Sequence, residues 1–256
     1  MSAIAAIVLG IVEGITEFLP VSSTGHLILA STLLGIAQSD FVKSFEIIIQ
    51  LGAICAVIVL YYKLFFNIEI LKRLIVAFIP TGIIGFALYK VVKTYLLGNE
   101  VIVLWALLLG GIVLIVFEYF HREKEDATQH IVDMTYKQSV IIGLCQSLAI
   151  IPGVSRSAAS IVGGLSVGMR RVTIVQFSFL LAVPTMLAAS GLDIIKSHSS
   201  FTGGGIGILL LGFIVAFVVA FFSIKFLLTY VRSHNFVPFG IYRIVAAILF
   251  WFVIFR

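Results

Sequence analysis

Six stretches of the chain, roughly residues 45–62, 74–91, 101–120, 173–195, 205–231 and 239–255, are long, apolar and almost free of charge. About 20 such residues are what an α-helix needs to cross the ~30 Å hydrocarbon core of a bilayer. Inside it no water can satisfy backbone N–H and C=O groups, so each stretch must close its own hydrogen bonds as a helix. Composition agrees, with 61% hydrophobic and 11% charged residues, against about 25% charged in a soluble domain. Alternating segments of about ten residues, the mark of a membrane β-barrel, are not found. The sequence therefore predicts an all-α polytopic membrane protein, a single integral domain over residues 1–256. Its net charge of +5 sits mostly in short loops, where it bears on topology and not on nucleic acid.

Two further stretches, about 2–35 and 138–168, are polar at their centres and break at "LPVSS" and "IPGVSRS". Proline cannot continue a helix and disfavours helix in the residue before it. The flanking halves are too short to span hydrocarbon, so they are expected to be re-entrant helix–loop–helix hairpins buried by the other helices. An internal duplication joins the two. A shift of 133 residues sets Gly10 on Gly143, Glu13 on Gln146, Val21 on Val154, Ser22 on Ser155 and Thr24 on Ser157. Shifts of 132 and 135 align "SFEIIIQLGAI" with "QFSFLLAVPTM" and "YKVVKTYL" with "IKFLLTYV". Repeat 1 covers about 1–120, repeat 2 about 138–256, and a polar linker about 121–137.

Three crossings per repeat is an odd number, so the second copy is expected upside down, an inverted-topology repeat with its site where the broken helices meet. With the N-terminus outside, Lys63, Lys72, Arg73, Arg122, Lys124, Lys137, Arg170, Arg171 and Arg232 fall inside, and Lys43, Lys93 and Lys196 outside. The positive-inside rule favours that orientation and a cytoplasmic linker. No Lys or Arg precedes Lys43, so the first segment lacks the basic start of a signal peptide and is expected to be retained. Cys55 and Cys145 stand alone in apolar runs and read as small core residues. His121, His130, His198 and His234 read as solvated or capping, Tyr242 and Arg243 as interfacial anchors, and Gly203–Gly205 as a flexible outer loop.

The polar residues of the broken segments form a chemically coherent set. Glu13 and Glu17 share one helix face, and two buried carboxylates that close need a shared proton or a divalent cation. The bland alternative is a helix end at the water interface. Ser22 and Ser23 stand four and three residues before His26, so either hydroxyl is placed to bond the imidazole as a nucleophile to its base; the bland alternative is a serine N-cap. In "PGVSRSAAS", Gly153 permits an unusual backbone angle, Ser155 and Ser157 offer hydroxyls, and Arg156 suits phosphate oxygens. A structural Arg156–Glu bridge is the competing reading. Together the parts are a kit for hydrolysing a phosphoanhydride. Transport of a lipid carrier is the alternative that inverted repeats and broken helices also allow.

From end to end the sequence resembles the undecaprenyl-diphosphate phosphatase family, membrane enzymes linked to bacitracin resistance. The acidic E-x-x-x-E signature reads "EGITE", followed by "FLPVSSTGHL"; the PGxSRS motif is Pro152–Ser157; "KSFEIIIQLGAICAV", "DMTYKQS", "FSFLLAVP" and "FVPFGIYR" are similar to other family blocks. The resemblance implies conversion of undecaprenyl diphosphate to the monophosphate in the bacterial inner membrane, with Mg²⁺ or Ca²⁺ and a site open to the outer, periplasmic face. By position it implies functional roles for Glu13, Glu17, Ser22, Ser23, His26, Ser155 and Arg156, with Glu13 and Glu17 at the cation. Thr24, Gly153, Ser157 and Ser160 join the expected phosphate-binding set. Where the family commonly continues "SRSG" with a later Thr, this chain has Ala158 and Ser160. The expected attack is by Ser23 with His26 as base, water or histidine attack being the alternatives. The expected partners are the polyprenyl diphosphate, the bilayer and, as an open possibility, a second copy in a homodimer.

Overall fold

The computed structural model describes residues 1–37, 39–96, 99–196 and 205–254. These form ten α-helices: α1 (Ala3–Thr16), α2 (Ser23–Leu33), α3 (Asp40–Phe65), α4 (Ile68–Val91), α5 (Glu100–Phe120), α6 (Tyr136–Ser147), α7 (Arg156–Ser166), α8 (Arg171–Lys196), α9 (Ile206–Tyr230) and α10 (Val237–Ile254). Six of them, α3, α4, α5, α8, α9 and α10, are long and apolar enough to cross a membrane, and they coincide with the six stretches expected from sequence. His198, Gly203 and Gly204 lie outside the described residues.

Helices α1, α2, α6 and α7 have 14, 11, 12 and 11 residues. At about 1.5 Å per residue none reaches the thickness of a hydrocarbon core. α1 packs on α2 and α6 on α7, so each broken segment is a helix–turn–helix pair. The two turns share an uncommon backbone: Ser22 and Ser155, equivalent under the 133-residue shift, have φ of 74° and 76°. Gly153 has φ 96°, and a Cβ there would lie 2.7 Å from the Val103 carbonyl, so the second turn admits only glycine at this point.

Lipid tails are as apolar as leucine, so membrane helices associate through close packing across small residues. Here α1 approaches α9 at Gly10 and Gly14, where a Cβ would come within 3.0 Å of the Gly212 carbonyl and 2.8 Å of the Ala216 carbonyl. The corresponding contact in the second half brings Gly143 of α6 against the Ala77 carbonyl of α4, at 2.0 Å from a notional Cβ. Thr81 adds a hydroxyl bond to the Gly143 carbonyl, 2.8 Å. α3 packs on α8 and α5 on α10, pairings compatible with the repeat expected from sequence. Buried residues make up 61% of the α8 span but at most 33% of the other five. Phe177, Phe179, Leu180 and Leu181 of α8 anchor the main core.

The linker is folded onto the bundle. Ala127, Ile131 and Met134 are buried, Thr128 pairs with Met169 in an isolated β-bridge, and Arg73 Nε donates to the Met134 carbonyl, 2.7 Å. Thr135 and Gln138 form a reciprocal capping box at the start of α6. Beside them Arg171 makes a two-pronged ion pair with Glu118, whose carboxylate also accepts from the Phe236 amide, tying α8 and α10 to the end of α5. Cys55 and Cys145 are free and half-buried.

Overpacking a close helix contact costs about 1–3 kcal/mol. Gly143→Ala is therefore expected to lower the thermal midpoint of detergent-purified protein by that equivalent. Gly207→Ala, with nothing within 4 Å of the added Cβ, should leave the midpoint unchanged or raised. A thermal-shift assay on both checks it.

Candidate active site

α1 carries Glu13 in its last turn, and Glu17 caps it with a backbone N–H bond to the Glu13 carbonyl, 2.9 Å. The helical path thus continues past Thr16 far enough to set both carboxylates on one face. Pro20 then ends it, and α2 restarts at Ser23. The N-cap, Ser22, makes no side-chain cap bond, so the first turn is not held by the serine cap that is the bland reading of the motif. At the second turn the N-cap Ser155 does cap, accepting from Ala158 N at 3.2 Å. Ala158 therefore stands within the first turn of α7 without disturbing it.

Opposite charges from the two turns meet. Arg156 Nη2 donates to Glu17 Oε1, 3.0 Å, with side chains 11% and 6% exposed, and Nη1 donates to the Ser178 carbonyl of α8, 2.9 Å. The other Glu17 oxygen accepts a hydrogen bond from the Ser23 hydroxyl. The structural bridge between the repeats thus exists and is made by the residues expected to do chemistry. Its guanidinium retains an Nε–H with no protein partner, a donor left for another anion. Leaving either member of a buried pair alone costs about 3–5 kcal/mol.

A cavity of about 270 Å³ opens on this cluster. Of the expected residues Glu17, Ser22, Ser23, Thr24, Gly153, Ser155 and Arg156 line it. Glu13, His26, Ser157 and Ser160 lie behind. Ser157 donates to the Phe18 carbonyl, 2.8 Å, which stitches the second turn to the first. Ser160 is 2.7 Å from the Ser178 hydroxyl and bonds carbonyls of its own helix. Glu13 is fully buried and neither carboxylate oxygen has a protein donor, with Glu17, Glu46 and Arg156 as its charged neighbours. An orphaned buried carboxylate demands a proton or a cation, so Glu13 and Glu17 fit an oxygen-seeking divalent ion. Among the described residues no group of three or more His, Cys, Asp or Glu side chains could hold a metal. An ion held there would need substrate oxygens or water for the rest of its shell.

His26 is not bonded to either serine hydroxyl. Its Nδ1 is 2.7 Å from the Ser22 carbonyl and its Nε2 2.8 Å from the Tyr242 hydroxyl. A carbonyl only accepts, so Nδ1 carries the hydrogen and a neutral ring offers Nε2 as acceptor to Tyr242. The i,i+4 spacing of Ser22 and His26 does produce a bond, but to the main chain.

Several residues missed from sequence reach the site. Gln50 of α3, Thr81 of α4, Gln146 of α6 and Thr185 of α8 form the cavity's uncharged polar wall. Gln146 Nε2 donates to both threonine hydroxyls, 3.2 and 3.1 Å. Tyr242 and Arg243 are not simple interfacial anchors, since Tyr242 holds His26 and Arg243 is fully buried with carbonyls of both turns as partners. An arginine inside an apolar span was a legible signal for an interior role. Of the remaining histidines, His121 caps α5 and stacks on Phe117, while His130 and His234 are exposed.

Fold and site define an integral membrane protein that gathers a serine, an acid and an arginine from two broken helices around one cavity. Residues 6–249 match the family model described as "Bacitracin resistance protein BacA", and the chain belongs to that family. It is 51% identical to an undecaprenyl-diphosphatase of Sulfurihydrogenibium sp. (strain YO3AOP1), over 98% of this chain and 99% of the relative. The undecaprenyl-diphosphatase of Persephonella marina is 52% identical over 98% of both chains, and that of Aquifex aeolicus 51% over 96% of both.

A positive φ costs a non-glycine residue roughly 1–2 kcal/mol, a strain that Ser22 bears without a capping bond in return. Ser22→Gly is therefore expected to hold or raise the thermal midpoint while lowering turnover, because a cavity hydroxyl is lost. A midpoint that falls along with activity would refute this account of the turn.

Proposed function

We infer that this chain hydrolyses undecaprenyl diphosphate to undecaprenyl phosphate and inorganic phosphate, the activity for which its relatives are named. The observation that carries the reading is the chain of contacts from the Ser23 hydroxyl through Glu17 to Arg156 at the wall of a cavity. Such a recycled lipid phosphate serves cell-wall synthesis, and its release from the diphosphate accounts for bacitracin resistance. The alternative of lipid transport is not favoured, because the matched relatives carry a hydrolase name.

In this reading Glu17, which accepts the Ser23 hydroxyl's hydrogen bond, acts as the base in the place expected for His26. It accepts the Ser23 proton while the serine oxygen attacks the terminal phosphorus and the bridging oxygen departs with the lipid monophosphate. Arg156 turns from Glu17 toward the phosphate and meets the charge that develops there. Glu17 passes the Ser23 proton to the departing lipid phosphate, then takes one from a water that attacks the phosphoserine, and returns it to the Ser23 oxygen as inorganic phosphate leaves. Thr24, Ser22 and Ser155 contribute hydroxyls and amides at two helix starts, a natural seat for phosphate. His26 fixes the Ser22 carbonyl and, through Tyr242, relates the first turn to α10. A divalent cation held by Glu13 and Glu17 supplies charge neutralisation for the diphosphate when bound. The paired short helices are read as re-entrant hairpins of an inverted repeat in a plasma membrane. The linker faces the cytoplasm, and the cavity opens to the outer face.

The test is phosphate release from long- and short-chain polyprenyl diphosphates by purified protein, with and without a chelator. Wild type is expected to release phosphate, to lose activity with chelator and to regain it with Mg²⁺ or Ca²⁺. Ser23→Ala and Glu17→Gln should each reduce kcat by roughly 10³-fold or more. Folded wild type that is inactive on every substrate ends the enzyme reading, and a Ser23→Ala variant with near-normal turnover ends the serine mechanism.

A further inference from the structure

Arg243 is fully buried in α10 and, among the described residues, makes no ion pair with a carboxylate. A guanidinium has five N–H groups, and all five are given to backbone carbonyls. Nε donates to Leu107 at 3.3 Å and Nη2 to Ala106 at 3.0 Å, both in α5. Nη2 also donates to Gly153 at 2.9 Å, and Nη1 to Val154 at 2.9 Å and Pro20 at 3.3 Å. Pro20 and Gly153 are equivalent under the same 133-residue shift that relates Ser22 to Ser155. One side chain thus takes the matching carbonyl from each broken helix and fastens both to α5.

The orientation of these peptides matters for binding. Peptide bonds here are all trans, so a carbonyl turned to Arg243 aims the next N–H the opposite way. For Val154 that N–H belongs to Ser155, which lines the cavity. The two carbonyls also fix the approach of the first turn to the second, and therefore of Ser23 to Arg156. We propose that Arg243 is a positioning residue for the phosphate site, a clamp that sets both turns at once through their backbones. Its unpaired positive charge lies behind the turns, where it favours an anion in the cavity in front of them. Lysine cannot substitute, since one ammonium with three donors on a flexible stem does not span five fixed acceptors.

The proposal rests on the diphosphatase reading, and the experiment separates the two. Kinetics of phosphate release are measured for wild type, Arg243→Lys, Arg243→Gln and Glu118→Gln, per folded molecule as judged by monodisperse detergent-purified protein. Inhibition by inorganic pyrophosphate is measured on the same samples. Arg243→Lys and Arg243→Gln are expected to raise KM and the pyrophosphate inhibition constant about tenfold, as loss of a charge-assisted bond does. Their kcat should fall up to about 100-fold through misplacement of Ser23. Glu118→Gln breaks the buried ion pair with Arg171, so it should lower the thermal midpoint and leave KM unchanged. Gly110→Ala is the second probe should the Arg243 variants not fold. Its Cβ would stand 2.1 Å from Arg243 Nη2, displacing the guanidinium while keeping its charge, and it too should raise KM. Wild-type KM and inhibition constants in the folded Arg243 variants, or in Gly110→Ala if those do not fold, overturn the clamp. Inactive wild type overturns the diphosphatase reading instead.

Discussion

The peptides at Leu19–Ser22 and Ile151–Ser155 leave the helical path inside an apolar bundle, and each polar group there needs a partner that is not water. Two are met locally, by Val21 N to the Leu19 carbonyl and Val154 N to the Ile151 carbonyl. The outward-facing carbonyls are met by Arg243, and the Phe18 carbonyl by Ser157. Irregular backbone inside an apolar bundle thus accounts for a buried arginine beside both turns.

Charge is distributed by a similar economy. Glu118 and Arg171 neutralise each other with two-pronged geometry and a further amide bond, an arrangement suited to staying closed. Glu17 and Arg156 form a single contact with Ser23 and the Ser178 carbonyl on the flanks. The Glu17–Arg156 contact therefore has fewer bonds to break than the Glu118–Arg171 pair.

The two broken segments share a packing pattern but not their polar residues. α1 sits on α9 and α6 on α4, and the turns share their backbone at Ser22 and Ser155. Yet Glu13 corresponds to Gln146, Glu17 to Ile150 and Ser23 to Arg156. Gln146 spends its amide on two threonines, where Glu13 is an acceptor without a donor. One broken segment thereby holds Glu17 and Ser23, the other Arg156, and carbonyls of both turns converge on one arginine, Arg243.

Six spanning helices, two broken segments and the residues Glu13, Glu17, Ser23 and Arg156 were legible because they rest on local rules: span length, proline, and the cost of charge among apolar neighbours. The partners that Ser23 and His26 take were not. Spacing along a helix allows Ser22 or Ser23 to meet His26, but Glu17 reaches Ser23 first across the turn, and Tyr242 arrives from more than 200 residues away. For the same reason the linker's docking and the polar wall of Gln50, Thr81 and Thr185 could not be read in advance. By itself the sequence determined the helical class, the six spanning segments and the inventory of polar groups, since these depend on hydrophobicity and periodicity within one segment. Only the tertiary structure decided which groups pair, because hydrogen bonds in an apolar bundle go to whichever partner packing brings within about 3 Å.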